Sequence, residues 1–165
     1  MRILIGLLML GVTSIACSQT SQQPFTITVS TNTLVVKSGD NVSIEVVMSN
    51  ISDHAVDCTI DARNALDRNY RYDVLDEGGQ PVPKIKRRYP DIGESGSIRP
   101  CIIKPGETSL PSGGLISILY DFRRPGKYTI QVSRGVPPDP ANLVKSNIVT
   151  ITVLPAEEPL PTKQQ

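Results

Sequence analysis

Hydrophobic and polar residues alternate along most of this chain with the two-residue period of a half-buried strand. Phe25, Ile27 and Val29 alternate with Thr26, Thr28 and Ser30. Val42, Ile44, Val46 and Met48 alternate with Ser43, Glu45 and Ser49, and Val47 is the exception. Val56, Cys58 and Ile60 alternate with Asp57, Thr59 and Asp61, and Tyr70, Tyr72 and Val74 with Arg71 and Asp73. Near the end, Tyr128, Ile130 and Val132 alternate with Thr129, Gln131 and Ser133, and Val149, Ile151 and Val153 with Thr150 and Thr152. Two less regular apolar runs, residues 98–103 and 115–122, complete the set. β-Branched residues dominate these stretches, and such side chains suit a pleated surface.

Turn chemistry separates the runs. Ser38, Gly39, Asp40 and Asn41 form one break, and Asp76, Glu77, Gly78 and Gly79 another. Lys104-Pro105-Gly106-Glu107 and Arg124-Pro125-Gly126-Lys127 each hold a Pro-Gly pair. Pro presets φ and Gly accepts positive φ, so both breaks are read as type II turns. No window has the period of an amphipathic helix, and residues 62–69 offer one helical turn at most. Seven to nine short strands with this spacing predict an antiparallel β-sandwich. The chain has 165 residues, with 12 Gly and 14 Pro. That length makes one domain, and the Gly and Pro content argues against a helical bundle.

The N-terminus reads as an address. Arg2 precedes an uncharged apolar run from Ile3 through Val12, too short for the roughly 20 residues of a membrane span. The run suits the core of a secretory signal peptide over residues 1–16, and Ser14-Ile15-Ala16 suits cleavage. Ala16 before Cys17 resembles a bacterial lipobox, which makes Cys17 the candidate lipidation site. Ser14 stands where that motif prefers Leu, Val or Ile. Residues 17–24 are then a polar tether, and the Pro-rich residues 155–165 a disordered tail. The expected location is the periplasm or cell envelope, lipid-anchored or else secreted. The formal net charge is +1, and loss of Arg2 with the leader brings it to zero. A near-neutral domain is not the basic surface that nucleic acid requires.

Short motifs carry a resemblance. Gly126-Lys127-Tyr128-Thr129-Ile130-Gln131-Val132 resembles the Pro-Gly-x-Tyr strand near the end of many bacterial Ig-like and fibronectin-III-like domains. Residues 34–39 and 42–50 resemble the opening of those domains, and Lys104-Pro105-Gly106-Glu107 their Pro-Gly-Glu turn. The resemblance spans residues 25–154 and implies an Ig-like sandwich. The bacterial intracellular proteinase-inhibitor family has a similar layout. The export signal departs from that cytoplasmic family, and no inhibitor residue carries over.

Several residue groups are candidates for chemistry. Cys58 and Cys101 suggest one disulfide in an exported domain; the other reading is two small buried residues that never meet. Without a Cys-x-x-Cys motif, a redox-active pair is not expected. His54, the only His, follows Ser52-Asp53 in a turn, and neighbours in sequence do not build a triad. With Cys17 assigned to the N-terminus, His54, Cys58 and Cys101 fall short of the four Cys and His ligands that a structural zinc site wants. Asp53, Asp57, Asp61, Asp67, Asp73 and Asp76 are spread over strands and turns and fit no calcium loop. Asn41-Val42-Ser43 and Asn50-Ile51-Ser52 match the N-glycosylation pattern, which is silent in a bacterium. Neither a cofactor nor a metal is expected. Lys84, Lys86, Arg87, Arg88 and Tyr89 form the one basic cluster, within the long connection of residues 80–97. They are the candidate partner-binding residues for an unknown protein or envelope polymer; the plainer reading is a solvated loop. The functional expectation is a non-catalytic exported binding or structural module. The alternative is a secreted proteinase inhibitor acting through an exposed loop, and an enzyme ranks third, because no nucleophile–base pair, carboxylate pair or phosphate loop is legible.

Overall fold

The computed structural model describes residues 23–61, 69–85 and 98–157. Its regular elements are nearly all strands. In chain order they are β1 Phe25–Ser30, β2 Val35–Lys37, β3 Ser43–Asn50, β4 Val56–Asp57, β5 Ile60–Asp61 and β6 Arg71–Asp76. Then come β7 Ile98–Arg99, β8 Ile102–Ile103, β9 Ser112–Leu115, β10 Gly126–Val136 and β11 Asp139–Leu154, with a 3₁₀ turn at Ile116–Ile118. One sheet has the order β1-β3-β9 and is antiparallel throughout. A second has the order β2-β11-β10-β6, in which β2 runs parallel to β11 and the other pairs are antiparallel. β4 with β8 and β5 with β7 make two small antiparallel ladders.

The alternation read from the sequence is the alternation of burial. Phe25, Ile27 and Val29 are buried, as are Val42, Ile44, Val46 and Met48 and the apolar sets of β6, β10 and β11. Both larger sheets contribute these residues to one continuous core. A side chain that leaves water on this scale contributes roughly 1.5–3 kcal/mol, so the inward faces hold the sheets together. The two sheets also meet edge to edge at Asn147. Its Oδ1 accepts from Val29 N–H and its Nδ2 donates to Val29 O, each at 2.9 Å, as a strand partner would.

Four expectations change. The described residues hold eleven strands, because the runs at 56–61 and 98–103 are each broken in two and short β2 and β9 are added. The run at 115–122 is not a strand. Ile116, Leu119 and Tyr120 recur at helical spacing, and both Leu119 N–H and Tyr120 N–H donate to Ile116 O, at 2.9 and 3.1 Å. A tight turn therefore buries all three on one side. The antiparallel pattern fails at β2, whose three residues pair in parallel with Thr152, Val153 and Leu154 of β11. Finally, only one Pro-Gly break is the expected turn. Gly106 has φ +77°, Glu107 N–H donates to Lys104 O at 3.0 Å, and Glu107 Oε2 accepts from Lys104 N–H at 3.1 Å. Gly126 has φ +148°, outside the type II range. Residues 1–16 of the expected signal peptide, Cys17, nearly all of the tether, residues 62–68 of the expected helical turn and the last eight residues of the tail lie outside the described residues.

Candidate functional site

The basic segment begins on the body of the protein, not in a free loop. Pro81 bridges to Leu75 and Lys84 to Tyr120. Between them Val82 N–H donates to Val74 O at 2.9 Å, and just beyond them Ile85 N–H donates to Leu119 O at 2.8 Å. Pro81 and Pro83 lack an N–H, which suits them to a margin where only alternate groups pair. Val82 is buried beneath them. The expected connection of residues 80–97 is thus anchored over its first six residues. Lys84 is exposed on that anchored margin. Lys86, Arg87, Arg88 and Tyr89 lie outside the described residues.

Cys58 and Cys101 are joined in a disulfide, with Cα atoms 4.8 Å apart. The bridge lies in the ribbon made by the two small ladders. Cys58 N–H donates to Cys101 O at 2.8 Å, while Cys101 N–H donates to Thr59 Oγ1 at 3.3 Å. Cys58 is 2% exposed and Cys101 only partly covered. Arg134, on β10, braces the same region. Its Nη2 donates to Thr59 O at 3.1 Å, its Nη1 approaches Met48 Sδ at 3.5 Å, and its Cζ lies 5.6 Å from the Tyr70 ring centre. Sequence reading missed Arg134 because the alternation was followed only to Ser133. Its partners, Tyr70 and Met48, lie 64 and 86 positions away, so no local pattern signals the contact.

The remaining acids and His54 do local work. His54 is exposed, and its Nδ1 lies 3.0 Å from Asp53 Oδ1. That hydrogen bond is the largest cause of the lowered Asp53 pKa. Ser52 Oγ donates to Asn50 Oδ1 at 2.7 Å, so the hydroxyl faces an amide and not the imidazole. Asp57 Oδ1 accepts from Thr59 N–H at 2.7 Å, and hydrogen bonds from Thr59 hold its pKa down. Asp76 Oδ1 accepts from Gly78 N–H and Gln80 N–H, at 3.0 and 2.9 Å. These are turn caps. Among the described residues no group of three or more His, Cys, Asp or Glu side chains is placed to hold a metal. Asp67 lies outside the described residues.

The β10–β11 hairpin ends in a tip that sequence reading did not single out. Val136 pairs with Asp139 across Pro137 and Pro138, which are joined by a cis peptide. Pro137, Pro138, Asp139 and Pro140 are all exposed. The chain matches no protein-family model, and no curated protein matches it significantly.

Proposed function

We propose that the chain is a non-catalytic, exported Ig-like β-sandwich module of the cell envelope, tethered through a lipidated Cys17. Its partner would be a protein or envelope polymer bound through Lys84, Lys86, Arg87, Arg88 and Tyr89. The observation that carries the Ig-like reading is strand connectivity. β1 pairs with β3 and β3 with β9 in one sheet, while β6, β10 and β11 are neighbours in the other. Labelled as Ig strands, these are A-B-E and C-F-G, the Greek-key arrangement of that fold. Tyr128 adds support: its hydroxyl donates to Arg124 O at 2.7 Å, four residues upstream, as in a tyrosine corner at the start of strand F. Burial is the main cause of its raised pKa. The disulfide agrees with an oxidising compartment.

Export is tested by mass spectrometry of the mature N-terminus, where a diacylglyceryl adduct on Cys17 is expected and an intact cytosolic Met1 contradicts the reading. Binding is tested by capture from envelope extracts. Replacing Lys84, Lys86, Arg87 and Arg88 by Ser should leave thermal stability nearly unchanged, because charges seldom contribute much outside a buried pair. The same replacement should abolish capture; undiminished capture removes this segment from consideration. The second reading, a secreted proteinase inhibitor, is favoured by the exposed, proline-restricted hairpin tip, since a loop held in one conformation loses little entropy on binding. Inhibition of a panel of endoproteinases that disappears when residues 137–140 become Gly and Ser would select it.

A further inference from the structure

The two small ladders share one register. Val56 pairs with Ile103, Asp57 with Ile102, Ile60 with Arg99 and Asp61 with Ile98. Cys58 therefore stands directly opposite Cys101, and Thr59 opposite Pro100. The ladder is interrupted there because Pro100 has no N–H, and because Cys101 N–H turns to the Thr59 hydroxyl. The disulfide thus crosses between opposed residues at the weakest point of the ribbon. It also marks a boundary. On one side Val56 and Ile103 are anchored in the core at 7% and 3% exposure. On the other, Arg99, at the alternate position to Cys101 and Ile103, is exposed, as is Pro100, while Ile98 and Ile102 are exposed on either side of the bridge. Neither half of the ribbon belongs to the two larger sheets.

We propose that this bridge is a thiol–disulfide exchange site, opened at Cys101 by a dithiol reductant while both larger sheets stay folded. Cys101 Sγ is the point of attack because Cys101 is the less covered sulfur-bearing residue, and exchange follows access. A thiolate of the reductant forms a bond to Cys101 Sγ as the Cys58–Cys101 bond breaks. Cys58 leaves as a thiolate and takes a proton. The second thiol of the reductant then attacks the mixed disulfide, loses its proton and releases Cys101. Two electrons pass from the dithiol, which becomes a disulfide, to the protein, which gains two thiols. The lack of a Cys-x-x-Cys motif is consistent with this role, since the protein is the substrate of the exchange. Opening frees the outer half of the ribbon, a local event of the kind that low-stability elements undergo.

The full-length protein is titrated with dithiothreitol under native conditions, quenched with iodoacetamide and peptide-mapped, so that Cys17 is scored separately. Circular dichroism is recorded in parallel. Alkylation of Cys58 and Cys101 while the strand signal persists is expected; a bridge that survives until the strand signal is lost overturns the proposal. A second arm uses Cys58→Ser and Cys101→Ser with oxidised glutathione. Cys101 in the first variant should capture glutathione roughly tenfold faster than Cys58 in the second, as its access dictates. Equal rates or the reverse order overturn attack at Cys101. If either variant lacks the wild-type strand signal, the titration of the wild-type protein decides.

Discussion

Asn50 is 2% exposed, and its side-chain amide is fully engaged. Nδ2 donates to His54 O at 2.7 Å and to Ile103 O at 2.9 Å, while Oδ1 accepts from Ser52 N–H at 2.9 Å and from its hydroxyl at 2.7 Å. One residue thereby closes the turn after β3 and ties it to β8. Asn50→Ala leaves Ile103 O buried without this donor and should cost about 3 kcal/mol. Denaturant midpoints of the variant and of His54→Ala check this; the latter loses only an exposed ring and should stay within about 0.5 kcal/mol of wild type. The same bonds leave the Asn50 amide no freedom to accept a glycan. Asp121 supplies the pH dependence. Arg123 donates to it through Nε at 2.9 Å and Nη2 at 2.6 Å, and its backbone N–H donates at 3.0 Å. The Arg123 side-chain bonds are the chief reason that the Asp121 pKa falls from its ordinary 3.8 to about 2. A depressed carboxylate stabilises the fold above its unfolded pKa and loses that contribution as pH falls through the folded one. Asp121→Asn should therefore flatten the acid limb of a stability profile between about pH 4 and about pH 2. A limb of unchanged slope would assign acid sensitivity to other groups.

At the scale of elements, β9 is defined by what it lacks. A Cβ built on Gly113, where φ is +141°, would lie 2.3 Å from Ile44 O. Gly113 therefore approaches β3 more closely than a side chain would allow, and Ser109 and Ser117 extend the contact. Their hydroxyls accept from Met48 N–H and Val42 N–H, each at 3.1 Å. Gly113→Ala should cost about 3 kcal/mol, read from thermal unfolding, by forcing the backbones apart. An unchanged melting temperature would mean that β9 shifts freely. The faces of β1, β3, β6, β10 and β11 were legible because burial in a strand has the same period as the sequence pattern. Element ends were less so. β11 runs back to Asp139 through Pro140, Ala141 and Asn142, where no alternation exists to follow, because the register shifts there between the Gly135–Leu143 and Val136–Asp139 pairs. The break at Pro100 was visible as a residue type but not as a ladder gap, since its partner Thr59 is 41 places away by register. Residues 115–122 misled for the opposite reason: a run rich in Ile and Leu fits strand or turn equally, and only the spacing of its buried members decides.

At the scale of the molecule, the pairing of the two ribbon cysteines was one of two readings in the sequence, because spacing carries no distance. The brace from Arg134 and the hairpin tip were not legible at all; both depend on which strands become neighbours. That neighbourhood also sets how the molecule carries load. The chain enters β1 at Phe25 and leaves β11 at Leu154, and β2 runs parallel to β11. Tension applied through the two termini draws β11 along its own axis against the parallel β2 beside it. Thr152 N–H to Leu34 O and Ser38 N–H to Leu154 O, both 2.8 Å, and the two bonds of Asn147 to Val29 are then loaded together, in shear. Tension applied instead at Gly126 and Leu154 would peel β10 from β11 one pair at a time. Single-molecule stretching should find the higher rupture force for the terminal geometry. Asn147→Ala should lower that force while leaving the peeling force nearly unchanged; equal losses in both would mean that the amide acts on general stability. This geometry makes the first and last strands a mechanical clasp.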